Sequence, residues 1–121
     1  MSGDSASRIL DVRERTEDGI AIVTVHGEVD MASAPQLQSA LEEIQRGGKP
    51  MIVDMSEVGF LGSAGLSVLL VISEAAEKSG LRVVASEAVR RPIELTGLDK
   101  LLAVYDSLAA ALDAPATGSA S

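Results

Sequence analysis

Residues 59–72 read GFLGSAGLSVLLVI and place one serine, Ser63, between Gly62 and Gly65, directly ahead of a nearly unbroken apolar run. Before it lies PMIVDM, residues 50–55, short, apolar and β-branched, which predicts a buried strand. After it, the spacing predicts a helix from about Ser63 to Ser79, with Gly80 as its left-handed stop and Lys78 near the negative end of its dipole. A strand, a glycine-lightened loop carrying Ser63 and a helix make a βα unit, and the rest of the chain is read outward from it.

Upstream, Ile9 to Arg15 alternates weakly, as an edge strand does, and stops at the turn Glu17-Asp18-Gly19. IAIVTVHGEVD, residues 20–30, is apolar almost throughout its first half and predicts a strand covered on both faces. Ser33 and Gln36 have capping-box spacing, and Leu37, Ala40, Leu41 and Ile44 then recur on one helical face until Gly47-Gly48 stops them. Downstream, LRVVAS (81–86) predicts a fourth strand. A helix follows whose start depends on whether Pro92 sits in its first turn or kinks its interior, and Gly97 ends it. LLAVY (101–105) predicts a fifth strand, and Asp106 is placed to cap a last helix reaching about Asp113. The order β-β-α-β-α-β-α-β-α predicts an α/β fold: a small mixed, mostly parallel sheet with about four helices packed on it. Residues 1–7 and 114–121 (APATGSAS) are small and polar and are expected to be disordered ends, leaving one domain over 8–113.

Composition narrows the function. With 121 residues there is room for one core but not for a two-domain enzyme. The 46% hydrophobic content is almost wholly aliphatic, with one Phe, one Tyr and no Trp, which argues against recognition by aromatic stacking. A formal net charge of −8 disfavours nucleic acid and anionic membrane surfaces as partners. The absence of cysteine excludes disulfides, thiolate metal sites and thiol redox chemistry. MSGDSASRIL lacks the basic and apolar regions of a secretory signal, and Leu66 to Ile72 falls far short of the roughly 20 residues that cross a bilayer, so a cytoplasmic domain is expected.

Each candidate chemistry meets a missing part. A nucleophile elbow needs G-x-S-x-G, but the window here is Leu61-Gly62-Ser63-Ala64-Gly65, and the one histidine, His26, lies upstream of the serine inside a predicted strand. Gly59, Gly62 and Gly65 could line an anion site at a helix N-terminus. A P-loop also requires a lysine, and none occurs between Lys49 and Lys78, so at most a weak nucleotide contact remains. A lone imidazole with no cysteine near it reads as a structural, half-exposed strand residue. Glu28 and Asp30 either cap the next helix or edge the same end of the sheet as Ser63, since parallel strands send their outgoing loops to one end; Asp54, taken as the end of the third strand, is a turn cap or a neighbour of that site. The helix after Ser63 is the sharper anomaly. Leu66, Val68, Leu69, Leu70, Val71 and Ile72 point all round its axis, so it is either enclosed or offered to another protein.

Three separated blocks, GEVDMASAPQLQSAL (27–41), MIVDMSEVGFLGSAGLSVLL (51–70) and RRPIELTGLDKLLAVYDSLAAAL (90–112), together resemble the STAS domain of bacterial anti-sigma-factor antagonists over about residues 8–113. The resemblance implies a phosphorylation-controlled binding module that needs no cofactor and no metal. Ser63 would be the acceptor, phosphorylated by an anti-sigma factor that is itself a histidine-kinase-like, ATP-dependent serine kinase. The unphosphorylated form would hold that anti-sigma factor and free the sigma factor, and a serine phosphatase would reset the switch. The commonest form of the motif is Asp-Ser-Ser-Gly, whereas these positions here are Gly62, Ser63, Ala64 and Gly65. With the topology argument, the expected partner-binding set is Glu28, Asp30, Ser33, Leu61, Gly62, Ser63, Ala64, Gly65 and Leu66. The chain itself is expected to be no enzyme and to exist as a monomer or a weak homodimer. The competing expectation is a structural STAS subunit of a stressosome-like or transporter-associated assembly; the third is a small enzyme or nucleotide-dependent protein.

Overall fold

A computed structural model describes residues 10–76 and 81–113. The elements run β1 (Asp11–Glu17), β2 (Ile20–Val29), α1 (Ala34–Gln45), β3 (Met51–Leu61), α2 (Ser63–Ala75), β4 (Leu81–Ala85), α3 (Glu87–Leu95), a 3-10 turn (Leu98–Lys100), β5 (Ala103–Tyr105) and α4 (Leu108–Asp113). The five strands form one sheet in the order β1-β2-β3-β4-β5. β1 and β2 are an antiparallel hairpin, and β2, β3, β4 and β5 are parallel neighbours, which is the predicted α/β architecture. The hairpin turns on Asp18 (φ 53°) and Gly19 (φ 79°), the pair of positive φ values that matches the twist of its strands.

Alternation along the strands divides the sheet between two cores. Val23, Val25, Val53, Met55 and Val83 meet Leu37 and Leu41 of α1, Val68, Leu69 and Ile72 of α2, and Val89 and Ile93 of α3 in the main one. Their neighbours Ile52 and Val84 point the other way, onto Ala111 of α4. Each fully buried Leu, Ile or Val side chain contributes about 1.5–3 kcal/mol, so most of the fold's stability lies in the main core. Arg82, buried at 6% exposure, donates from Nη1 to the Ala111 carbonyl at 2.8 Å and so satisfies the end of α4. Arg90 of α3 and Asp106 form an ion pair that ties α3 to the approach of α4.

Several expectations need correction. β1 spans Asp11–Glu17 where Ile9 to Arg15 was expected, and Ile9 itself lies outside the described residues, as do Ser79, Gly80, Lys78 and both tails. The capping box does not form: Gln36 Nε2 donates to the Leu10 carbonyl at 2.7 Å, which pins the chain entering β1. β3 is nearly twice as long as PMIVDM suggests, because residues 56–60 (SEVGF) stay paired with the end of β2 through bulges. Asp54 therefore lies inside β3, and its carboxylate accepts from the N–H (3.1 Å) and hydroxyl (2.7 Å) of Ser56. Pro92 is interior to α3, the fifth strand shortens to Ala103–Tyr105 after a 3-10 turn, and Ser107 rather than Asp106 caps α4, its Oγ accepting from the Ala110 N–H at 3.1 Å.

Candidate functional site

The site forms where β2 and β3 end level with one another. Glu28 is in register with Phe60 and Val29 with Leu61, so the two outgoing segments leave the sheet side by side. The Gly62 N–H donates to the Val29 carbonyl at 2.9 Å, adding one rung past the strand end. The chain then turns straight into α2, so the loop expected around Ser63 shrinks to Gly62 alone. Close approach makes this possible. A β-carbon on Gly65 would lie 2.7 Å from Val29 Cγ1 and nearer still to Leu61 Cδ1, so only glycine lets the first turn of α2 settle onto the strand ends.

The neighbouring loop is fixed by its own side chains. Asp30 Oδ1 accepts from the N–H groups of Ala32 and Ser33, both at 3.0 Å, which makes an Asx turn. Ser33 Oγ donates to the Glu28 carbonyl at 2.8 Å, lies 3.1 Å from Asp30 Oδ1, and accepts from the Asp30 N–H at 3.0 Å. Led by the Ser33 N–H and then its hydroxyl, these bonds favour the charged carboxylate and hold the Asp30 carboxyl below its ordinary value. Among the described residues no basic side chain pairs with Glu28 or Asp30.

Ser63 stands beside this loop as the first residue of α2, exposed, with no hydrogen-bond partner for its hydroxyl among the described residues. The N-cap position, Gly62, has no side chain, so the first-turn N–H groups keep their positive field uncapped. Of the expected partner-binding residues, Glu28, Asp30 and Ser63 are exposed and Gly62, Ala64 and Leu66 are half-buried. Ser33, Leu61 and Gly65 are buried, so they shape the surface without presenting side chains on it. Along α2, Val68, Leu69 and Ile72 face the core while Val71 is 41% exposed, which resolves the all-round apolar pattern into a buried face and a partly open one.

Two residues escaped sequence reasoning. Met31, 80% exposed, edges a shallow groove of ≈ 530 Å³ between α1 and α2 that is lined also by Ala34, Pro35, Ala64, Ser67 and Val68. Phe60, 49% exposed, precedes the turn. Neither was detectable from pattern, since an apolar residue at an element's end reads equally well as core. His26 lies apart from any charge relay to Ser63: its Nε2 is 3.6 Å from Glu57 Oε1, both side chains well exposed. Among the described residues no helix is long and apolar enough to cross a membrane.

Comparison with known proteins agrees with this geometry. The family model described as STAS domain matches residues 11–111. The anti-sigma-F factor antagonist RsfB of Mycobacterium tuberculosis is 37% identical over 111 residues, covering 89% of this chain and 91% of the relative. The anti-sigma-B factor antagonist of Listeria monocytogenes is 30% identical over 99 residues, covering 78% and 86%. Among solved structures, an anti-sigma factor antagonist from Mycobacterium paratuberculosis superposes with a TM-score of 0.81 at 40% identity, covering 85% of this chain and 91% of that one. With the match running from the first strand to the last helix, the chain belongs to the STAS domain family.

Proposed function

We propose that this protein is an anti-sigma factor antagonist whose grip on its anti-sigma factor is switched by phosphorylation of Ser63. The observation that carries the reading is the free Ser63 hydroxyl: exposed, without a hydrogen-bond partner among the described residues, and set at the uncapped N-terminus of α2. The names of the relatives support the antagonist role.

Unmodified, the partner docks over the Glu28–Ser33 loop, Ser63 and the open side of α2. The partner is a serine kinase that transfers the γ-phosphoryl group of ATP to Ser63 Oγ, the hydroxyl proton leaving as the new P–O bond forms and ADP departing. The product carries about −1.5 to −2 additional charges. Within the protein this charge is tolerated, because the helix N-terminus offers N–H groups and the positive end of the dipole. Within the interface it is not, since a buried dianion without a counter-charge costs several kcal/mol, and it also meets Glu28 and Asp30 as like charges. A serine phosphatase restores the binding form. The chain itself contributes an acceptor and a surface and no turnover, and its place of action is the cytoplasm.

Incubation with the anti-sigma kinase and ATP, followed by phosphopeptide mapping, tests this. The expected result is one phosphate on Ser63. A phosphate on Ser56 or Ser67, both also exposed, would overturn the assignment.

A further inference from the structure

The geometry points to Phe60 as a specificity-determining residue of this surface, its ring occupying the space that a side chain at position 62 would need, so that the partner meets an aromatic face immediately before Ser63. The inference rests on the regulatory reading above and names what that partner must recognise.

The steric facts are local. A β-carbon on Gly62 would lie 3.1 Å from Phe60 Cε2 and 3.3 Å from Cζ, closer than β-carbons ordinarily pack. Gly62 has φ −89° and ψ −176°, extended backbone that any residue adopts, so conformation does not explain the glycine here. The ring does. A β-carbon at 62 makes the ring give by a few tenths of an ångström, so the Phe60 ring and a side chain at 62 compete for one space.

The ring is also placed to be read. It is 49% exposed, although an isolated aromatic gains by full burial, and it is in register with Glu28, so the two side chains project to the same side of the sheet. The ring lies against Gly62 and puts an apolar face, beside the exposed Glu28, next to the acceptor. A partner that fits it presents a flat apolar or guanidinium-bearing surface at that point; one built to grip a polar side chain at 62 does not find the group.

A double-mutant cycle tests the inference. Parent, Phe60→Ala, Gly62→Ala and the double variant, each checked by circular dichroism, are titrated calorimetrically with two probes, the anti-sigma-F factor of Mycobacterium tuberculosis and the anti-sigma-B factor of Listeria monocytogenes. Phe60→Leu serves as a second variant that keeps apolar bulk without the ring, and Leu95→Ala, 81% exposed on α3, as a control. Expected with a probe that the parent binds are a weakening of about tenfold or more for Phe60→Ala, the behaviour of an aromatic hot spot, and a smaller loss for Gly62→Ala that vanishes to within about twofold once the ring is gone. Phe60 is the chain's one phenylalanine, so its ring protons are identifiable by NMR and should show contacts to the Gly62 α-protons that Gly62→Ala abolishes. If the parent binds and Phe60→Ala binds within about twofold of it, or Gly62→Ala costs the same with and without the ring, or the ring contacts are missing, this inference alone falls. If the parent binds neither probe, the regulatory reading falls and takes this one with it.

Discussion

Ser33 and Ser63 stand at the entries of adjacent helices on one end of the same sheet, yet the fold treats them oppositely. Ser33 is 7% exposed and its hydroxyl is spent inside the loop, on the Glu28 carbonyl, the Asp30 carboxylate and the Asp30 N–H. Ser63 is exposed and its hydroxyl is bonded to none of the described residues. What separates them is the residue that shapes each entry. Asp30 folds its loop back over Ser33, whereas Gly62 and Gly65 strip side chains from the turn and leave Ser63 uncovered. One serine is a structural pin, and its neighbour keeps a hydroxyl that none of the described residues engages.

That contrast has measurable consequences. The largest concerns the glycine that seats the free serine. Gly65→Ala forces a methyl into Val29 and Leu61 and should cost about 1–3 kcal/mol in denaturant unfolding, overpacking that the strand ends cannot relieve. A cost near zero would mean that the turn is pliable and Ser63 is not held in place. Next, Ser33→Ala should cost about 1–2 kcal/mol, because it leaves the Glu28 carbonyl and Asp30 short of a partner, while Ser63→Ala should stay within about 0.5 kcal/mol of the parent. Equal losses would erase the distinction. A smaller effect follows from Asp30. Its folded pKa is lowered, so its contribution to stability is fully present above the unfolded value of about 3.9 and is lost as pH falls through the folded value. The stability gap between parent and Asp30→Asn should therefore shrink as the pH is taken from neutral to well below 4, measured by thermal unfolding; a gap that stays constant across that range would show that the Asx turn does not depend on the charge.

The fold was largely legible because its determinants are local and redundant. β-branched runs, helical spacing and the glycine stops at 47–48 and 97 agree on the element order, and that order fixes which loops share an end of the sheet. The placement of Asp30, Ser63 and α2 together followed from this. What stayed hidden depends on partners distant in sequence. Gln36 has capping-box spacing but reaches 26 residues back to Leu10, Asp106 has a cap's position but is drawn to Arg90, and the SEVGF end of β3 reads as loop until its pairing with β2 is known. Burial of single residues was equally opaque: Leu61 and Phe60 are adjacent and both apolar, and one is core while the other is surface.

Calorimetric titration of the anti-sigma factor with the parent, Ser63→Ala, Ser63→Asp and Glu94→Ala, the last an exposed residue on α3, tests the role of Ser63 most directly. Ser63→Asp is predicted to lose about 2 kcal/mol or more of binding free energy, the penalty for an unpaired charge in the contact. Ser63→Ala and Glu94→Ala should bind as the parent does, and Ser63→Ala should also resist release by ATP. Parent-like affinity in Ser63→Asp, or a larger loss in Glu94→Ala than in Ser63→Asp, would place the contact elsewhere and contradict the switch.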